Sequence, residues 1–113
     1  MEKIVWQGLL YDFYGELLTE HQRRIYEDVV VHDLSLSEIA EEQGITRQGI
    51  HDLVRRCDRI LEGYEGKLHL VEKFQETRKL ALEIRGYLEQ YQESRDMVLL
   101  EKAKEAAGQI AEI

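Results

Sequence analysis

The fold is decided by residues 35–56, SLSEIAEEQGITRQGIHDLVRR. Ser35 and Glu38 have the spacing of a capping box, which predicts the start of a short helix. Gly44 suits the left-handed conformation that ends such a helix, and Thr46 suits the cap of the next one. The stretch therefore predicts a helix, a tight turn and a longer helix, which is the helix-turn-helix arrangement.

Apolar side chains recur at helical spacing in this stretch and beyond it. The first helix is expected to bury Leu36, Ile39 and Ala40, with Ile45 filling the turn. The buried stripe of the second helix is expected to consist of Ile50, Leu53, Val54, Cys57, Ile60, Leu61 and Tyr64. Because Cys57 lies on this stripe, we interpret it as a small core residue rather than a reactive thiol.

Two more helices are expected before the helix-turn-helix. Residues 3–14 have an amphipathic pattern, and Thr19 with Gln22 forms another capping box that opens a helix over residues 20–32. The expected inward side chains are Ile4, Val5, Leu9, Leu10, Phe13 and Tyr14 in the first helix and Ile25, Tyr26, Val29 and Val30 in the second. The aromatic residues Trp6, Tyr11, Phe13 and Tyr14 are assigned to the core in preference to an exposed partner site.

The chain after the helix-turn-helix has a different pattern. Gly63 and Gly66 weaken a helix by about 1 kcal/mol each relative to alanine, so we expect a break there. We accordingly divide the chain into a helix-turn-helix domain, residues 1–66, and a helical tail, residues 67–113. In the tail a heptad rhythm runs through Leu70, Phe74, Thr77, Ala81, Ile84, Leu88 and Tyr91, and after a cap at Asp96 it continues through Leu99, Ala103, Ala106 and Ile110.

The tail pattern fits two arrangements. Its two helices can fold back on each other as a hairpin, or they can pair with a second copy of the chain. The candidate packing or dimer seam consists of Phe74, Ala81, Ile84, Leu88 and Tyr91. The second arrangement predicts a homodimer.

The composition favours an all-α fold. The 113 residues include no proline and many helix formers, and the chain is long enough for one compact unit with a helical extension. The single cysteine excludes an intramolecular disulfide, and no apolar run is long enough to suggest a secretion signal or membrane insertion. We therefore expect a cytoplasmic protein.

The net charge of −8 is concentrated around the helix-turn-helix. Residues 1–66 hold 7 basic and 14 acidic side chains, whereas residues 67–113 hold 8 and 9. Because attraction between basic side chains and phosphates supplies much of the affinity for DNA, this acidity suits one of two partners. The partner is either a protein or DNA bound through one local basic face.

The candidate DNA-contacting residues lie on the second helix of the motif, which enters the major groove in DNA-binding proteins of this kind. The buried stripe leaves Arg47, Gln48, His51, Asp52, Arg55 and Arg59 facing outward. Arg47 suits guanine, Gln48 suits adenine, and His51 suits a base edge or a phosphate. Arg55 and Arg59 are better placed for the DNA backbone.

Acidic residues intrude on this face. Between Arg47 and Leu61, four basic residues accompany two acidic ones, Asp52 and Asp58, so we expect weak DNA binding with a shallow salt dependence. In the alternative, Arg47, Arg55 and Arg59 pair with surface carboxylates, and the helix-turn-helix domain is a scaffold that docks a protein.

Three segments resemble region 4 of bacterial sigma factors, the trihelical unit that reads promoter DNA. They are LLT at residues 17–19, QR at residues 22–23 and the whole of residues 35–56. Arg47 matches the sigma pattern, whereas Gly49, His51 and Asp52 give the recognition helix a less cationic opening.

A longer set of segments resembles the YlxM-like family of small helix-turn-helix proteins. The segments are LYDFY at residues 10–14, LLT at 17–19, DLSL at 33–36, EIAEE at 38–42, RQ at 47–48 and LExYExKL at 61–68, so the resemblance covers about residues 6–70. It implies a cytoplasmic bacterial protein, encoded beside components of the signal recognition particle, with a regulatory or accessory role in that protein-targeting pathway. Two functions follow: a DNA-binding regulator, or an acidic adaptor that docks on a particle component without reading DNA.

The sequence shows no constellation typical of an enzyme. His21, His32, His51 and His69 are scattered, with neither an HExxH motif nor paired cysteine and histidine spacing, and no glycine-rich phosphate loop is recognisable. We expect neither catalysis nor a cofactor nor a bound metal.

Overall fold

The computed structural model describes residues 1–113, which form six α-helices and no strand. The helices are α1 (Lys3–Tyr14), α2 (Glu20–Tyr26), α3 (Leu36–Gln43), α4 (Arg47–Leu68), α5 (Leu70–Ser94) and α6 (Met97–Ala111). A 3-10 turn, Gly15–Leu17, follows α1, and a π-helical turn, Glu27–Val31, continues α2. The all-α prediction is confirmed. The chain separates into two compact units, Met1–Val71 and Glu72–Ile113.

Side-chain caps define where the helices of the first unit begin. Thr19 Oγ1 accepts a hydrogen bond from the Gln22 backbone N–H (3.2 Å), and Gln22 Oε1 accepts one from the Thr19 N–H (3.0 Å). Ser35 caps α3 through its hydroxyl oxygen (3.1 Å), and Thr46 caps α4 in the same way (2.9 Å). These bonds satisfy backbone donors that a helix start otherwise leaves without partners.

The turn between α3 and α4 depends on Gly44. Its φ of 69° and ψ of 28° lie in the left-handed region, where a side chain costs roughly 1–2 kcal/mol. The N–H groups of Gly44 and Ile45 both donate to the carbonyl of Ala40, at 2.9 and 3.2 Å. This turn directs the chain into α4 and so sets where the second helix of the motif starts.

One apolar core holds the first unit together, and α4 packs against α1, α2 and α3. The buried side chains of this core are Leu10, Tyr14, Leu18, Ile25, Tyr26, Val30, Ile39, Ile50, Val54, Cys57, Leu61 and Val71. Those contributed by α4 all belong to the stripe expected from the sequence. The opposite face of α4 is thereby presented to solvent.

The inward face of α1 differs from the expected one. Ile4 and Val5 are each about half exposed, at 47% and 49%, and Phe13 is exposed as well. Gln7 is buried instead, because its amide donates hydrogen bonds to the carboxylate of Asp58. Ile45, which was expected to fill the turn, is also exposed.

One expected helix boundary is corrected, and one expected helix changes its type at its end. The helix expected over residues 20–32 extends to Val31, but its last turn, Glu27–Val31, is π-helical. The break expected at Gly63 and Gly66 does not occur, since α4 continues to Leu68 and ends at His69 with φ of 57°.

The turn of α4 between those two glycines is anchored by Glu65. This buried carboxylate accepts hydrogen bonds from the hydroxyl of Tyr14 (2.6 Å) and the backbone N–H of Val71 (2.9 Å). Hydrogen bonds to a charged group contribute about 1.5–3 kcal/mol each, which offsets the helix-weakening effect of the glycines.

The second unit contains most of α5 and all of α6. Asp96 caps α6 through the Val98 N–H (3.0 Å), and Ala103 and Ala106 are buried, as the heptad pattern predicts. On α5 the buried side follows the expected stripe only in part. Leu80 is buried and Ile84, Tyr87 and Tyr91 are half-buried, whereas Phe74, Ala81 and Leu88 are exposed. No helix combines the length and apolarity needed to cross a membrane.

Candidate nucleic-acid interface

The outward face of α4 contains every side chain assigned to DNA contact. Arg47, Gln48, His51, Arg55 and Arg59 are all exposed. The first two lie in the opening turn, directly after the Thr46 cap. This is the part of a recognition helix that reaches base edges in helix-turn-helix proteins.

The three arginines on this face have no acidic partner. None of Arg47, Arg55 and Arg59 forms an ion pair with a carboxylate. The structure therefore does not contain the alternative arrangement, in which these arginines pair with surface carboxylates. Their guanidinium groups keep all their donors for other contacts.

Asp58 was expected on the outward face, but the structure turns it toward the core. Its Oδ1 accepts a hydrogen bond from the Tyr26 hydroxyl (2.7 Å), and the Gln7 amide donates to both carboxylate oxygens (3.0 and 3.1 Å). Burial, reinforced by the hydrogen bond to Asp58, raises the pKa of Tyr26 above its usual range. With Asp58 turned toward the core, Asp52 is the acidic residue left among the outward groups of this segment.

Asp52 is exposed and close to Gln48. Its Oδ1 accepts a hydrogen bond from Gln48 Nε2 at 2.9 Å, while Nδ1 of His51 lies 4.0 Å from the same oxygen. The shortest contact of the Asp52 carboxylate is therefore with the amide of Gln48, the side chain predicted to recognise adenine.

One of the four basic residues counted in this segment, Arg56, was not assigned to the outward face. Arg56 is exposed and lines a groove of about 340 Å³ between the start of α2 and α4. The other lining residues are Thr19, His21, Gln22, Gly49, Asp52 and Leu53. The available signal was the spacing of Gly49, Asp52 and Arg56, which places them on one flank of the helix.

Tyrosine hydroxyls withdraw further carboxylates from the surface of the first unit. Tyr14 donates to the buried Glu65, and Tyr11 donates to the half-buried Glu27. Burial and these hydrogen bonds raise the pKa of both tyrosines. Together with Asp58, three of the 14 acidic side chains in residues 1–66 are thus engaged from within the fold.

Cys57 lies fully buried in the core behind the outward face. Burial, assisted by the charge of Asp58, raises the pKa of its thiol to about 11. At neutral pH the thiol is protonated and enclosed, so it acts as a packing residue and not as a nucleophile.

The arrangement of α3, a glycine turn and α4, with polar and basic side chains on the exposed side of α4, defines the class of helix-turn-helix proteins. Residues 1–104 match the family described as "Putative helix-turn-helix protein, YlxM / p13 like". The chain belongs to this family.

Several curated proteins are close in sequence. A UPF0122 protein of Desulforamulus reducens is 42% identical over 105 residues, which cover 93% of this chain and 90% of that protein. A UPF0122 protein of Thermoanaerobacter sp. strain X514 is 40% identical over 113 residues, covering 99% and 97% of the two chains. A UPF0122 protein of Shouchella clausii is 45% identical over 85 residues, covering 75% and 78%.

Proposed function

We propose that this protein is a non-enzymatic DNA-binding regulator that inserts α4 into the major groove. The observation that supports the proposal most directly is the charge arrangement on α4. Arg47, Arg55 and Arg59 are exposed without ion pairs, while Asp58 is turned into the core. Such a face attracts phosphates locally even though the chain as a whole is acidic.

Each outward residue has a role in this proposal. Arg47 addresses guanine, Gln48 addresses adenine, and His51 addresses a base edge or a phosphate. Arg55 and Arg59 lie further along α4 and contact the DNA backbone, which fixes the register of the helix in the groove.

The biological setting is part of the same proposal. The resemblance of residues 6–70 to the YlxM-like family implies a cytoplasmic bacterial protein with a regulatory role in the signal recognition particle pathway. The competing function is an acidic adaptor that docks on a component of the particle without reading DNA.

The triple variant Arg47→Ala/Arg55→Ala/Arg59→Ala tests DNA binding. Titration of labelled duplex DNA at several salt concentrations should show weaker binding for the variant at every salt concentration. The slope of log affinity against log salt should fall by about 2, one unit for each lost backbone contact. The charge-matched control Arg78→Ala/Lys79→Ala/Lys104→Ala, with all three changes in the tail, should bind like the wild type.

Two outcomes would contradict the proposal. Binding of DNA by the triple variant as tight as that of the wild type would remove α4 as the contact surface. If the wild-type protein binds no duplex but does bind the purified protein component of the signal recognition particle, the adaptor function replaces the regulator.

We further propose that two copies pair along the tail through Phe74, Ala81, Ile84, Leu88 and Tyr91. Phe74 and Leu88 are 43% and 44% exposed, and heptad spacing is typical of helix pairing. A dimer would carry two recognition helices, one for each of two DNA half-sites.

The substitution Leu88→Glu should halve the mass measured by light scattering, because it places a charge in the seam. Leu82→Glu is the matched control, since Leu82 is also exposed on α5 but lies outside the heptad positions. A monomeric wild type, or a Leu88→Glu variant that keeps the dimer mass, would refute the pairing.

A further inference from the structure

Asp52 is an unusual residue for a surface that approaches phosphates. It lies in the second turn of α4, among the outward side chains, with 60% of its side chain exposed. A carboxylate there repels the DNA backbone and lowers affinity for every sequence alike. Its position therefore suggests a role other than adding affinity.

The contacts of the Asp52 carboxylate are selective. Arg55 and Arg56 follow it by three and four residues, the spacing at which helical side chains meet, yet neither forms an ion pair with it. Its hydrogen bond is made to the amide of Gln48, at 2.9 Å. The carboxylate thus orients the Gln48 amide instead of pairing with a neighbouring arginine.

That hydrogen bond determines which groups Gln48 can offer to a base. An ionised carboxylate only accepts hydrogen bonds, so the amide must turn its Nε2 toward Asp52. One N–H of that nitrogen and the carbonyl oxygen Oε1 remain for the groove. This pair of one donor and one acceptor is what the N7 and N6 positions of adenine require.

We propose that Asp52 is a specificity-determining residue that positions the Gln48 amide for adenine at the cost of overall affinity. This inference rests on the proposed DNA-binding function. Fixing the amide before binding removes the alternative orientation, in which donor and acceptor are exchanged. It also reduces the side-chain freedom that is lost on binding.

Two substitutions separate orientation from charge. Asp52→Asn removes the negative charge but keeps a side-chain carbonyl that accepts from Gln48, whereas Asp52→Ala removes both. Glu62→Gln is the control for charge alone, because Glu62 is exposed on the same helix and is not hydrogen-bonded to Gln48.

The experiment selects duplexes from a library with a randomised central segment and compares the base preferences of the variants by sequencing. Asp52→Asn and Asp52→Ala should both bind mixed-sequence DNA more tightly than the wild type. Asp52→Ala alone should lose about tenfold in preference for adenine at the position that Gln48→Ala also relaxes. Asp52→Asn and Glu62→Gln should keep that preference.

The outcomes distinguish this inference from the function on which it rests. If DNA is bound selectively but Asp52→Ala keeps the wild-type preference, Asp52 acts only by its charge and the positioning role is wrong. If the wild type shows no binding to the library, the DNA-binding function itself fails, and the role of Asp52 with it.

Discussion

Replacement of Tyr14 by phenylalanine is expected to lower the free energy of unfolding by about 3 kcal/mol, as measured by urea denaturation at neutral pH. The Tyr14 hydroxyl donates to Glu65 (2.6 Å) and accepts from the Leu70 N–H (3.1 Å). The substitution removes both hydrogen bonds and leaves a buried carboxylate with fewer donors. Hydrogen bonds to a charged group contribute about 1.5–3 kcal/mol, so the loss should be at the upper end.

Tyr64 provides the matched control for this prediction. Its ring stacks on that of Tyr14 with centroids 6.0 Å apart, but it is half-buried and its hydroxyl takes part in no hydrogen bond. Tyr64→Phe should therefore change the free energy of unfolding by less than about 0.5 kcal/mol. Amide hydrogen exchange at Leu70 and Val71 should accelerate in Tyr14→Phe and not in Tyr64→Phe. If the two substitutions changed the free energy of unfolding equally, the hydrogen bonds of Glu65 with Tyr14 and Val71 would not be what stabilises the end of α4.

Features that depend on neighbouring residues were predictable from the sequence. The caps at Thr19, Ser35 and Thr46 and the left-handed Gly44 each involve groups within a few residues of one another. Their geometry follows from local backbone chemistry, whatever the rest of the chain does. The helix-turn-helix could be located for this reason before any tertiary contact was known.

The positions of the acidic residues could not be predicted in the same way. Gln7 and Asp58 are 51 residues apart in the chain, as are Tyr14 and Glu65. Helical periodicity assigns a polar residue at the edge of a buried stripe to solvent, because nothing local indicates a distant hydroxyl or amide that will receive it. The sequence therefore placed Asp58 among the acidic residues of the outward face, whereas the fold turns it toward Gln7 and Tyr26.

The tail illustrates a second limit of periodicity. The heptad pattern correctly indicated a long α5 and a separate α6, but it did not indicate which flank of α5 is buried. Tyr87 lies half-buried with the Lys102 ammonium 6.0 Å from its ring, although neither residue belongs to the heptad set. Aromatic rings and long basic side chains cover apolar surface from positions outside the regular stripe.

Alkaline pH is expected to destabilise the fold steeply, because three tyrosines hold their protons in the folded state. Tyr11, Tyr14 and Tyr26 all have a raised pKa, caused first by burial and then by hydrogen bonds to carboxylates. Below their ordinary pKa of 10.0 both states are protonated and the stabilisation is complete. Above it the unfolded chain loses protons that the folded chain keeps, so the free energy of unfolding falls as pH rises.

The fall in the free energy of unfolding with pH has an expected onset and an upper limit to its slope. Each tyrosine with a raised pKa adds at most about 1.4 kcal/mol per pH unit to this fall, over the range between its ordinary pKa and its folded-state pKa. The free energy of unfolding begins to fall less steeply one pH unit earlier, because burial raises the pKa of Cys57 from 9.0 to about 11. Urea denaturation at stepped pH values from about 8 to about 11 measures both phases.

The variant Tyr26→Phe identifies the source of the alkaline slope. It should be less stable than the wild type at neutral pH, because Asp58 loses a donor, but its slope above pH 10 should be smaller by about 1.4 kcal/mol per unit. Phenolate absorbance gives an independent measure, since three of the six tyrosines should titrate only as the protein unfolds. If Tyr26→Phe kept the wild-type slope, or all six phenols of the folded protein titrated together near pH 10, the alkaline destabilisation would have to come from groups other than the buried tyrosines.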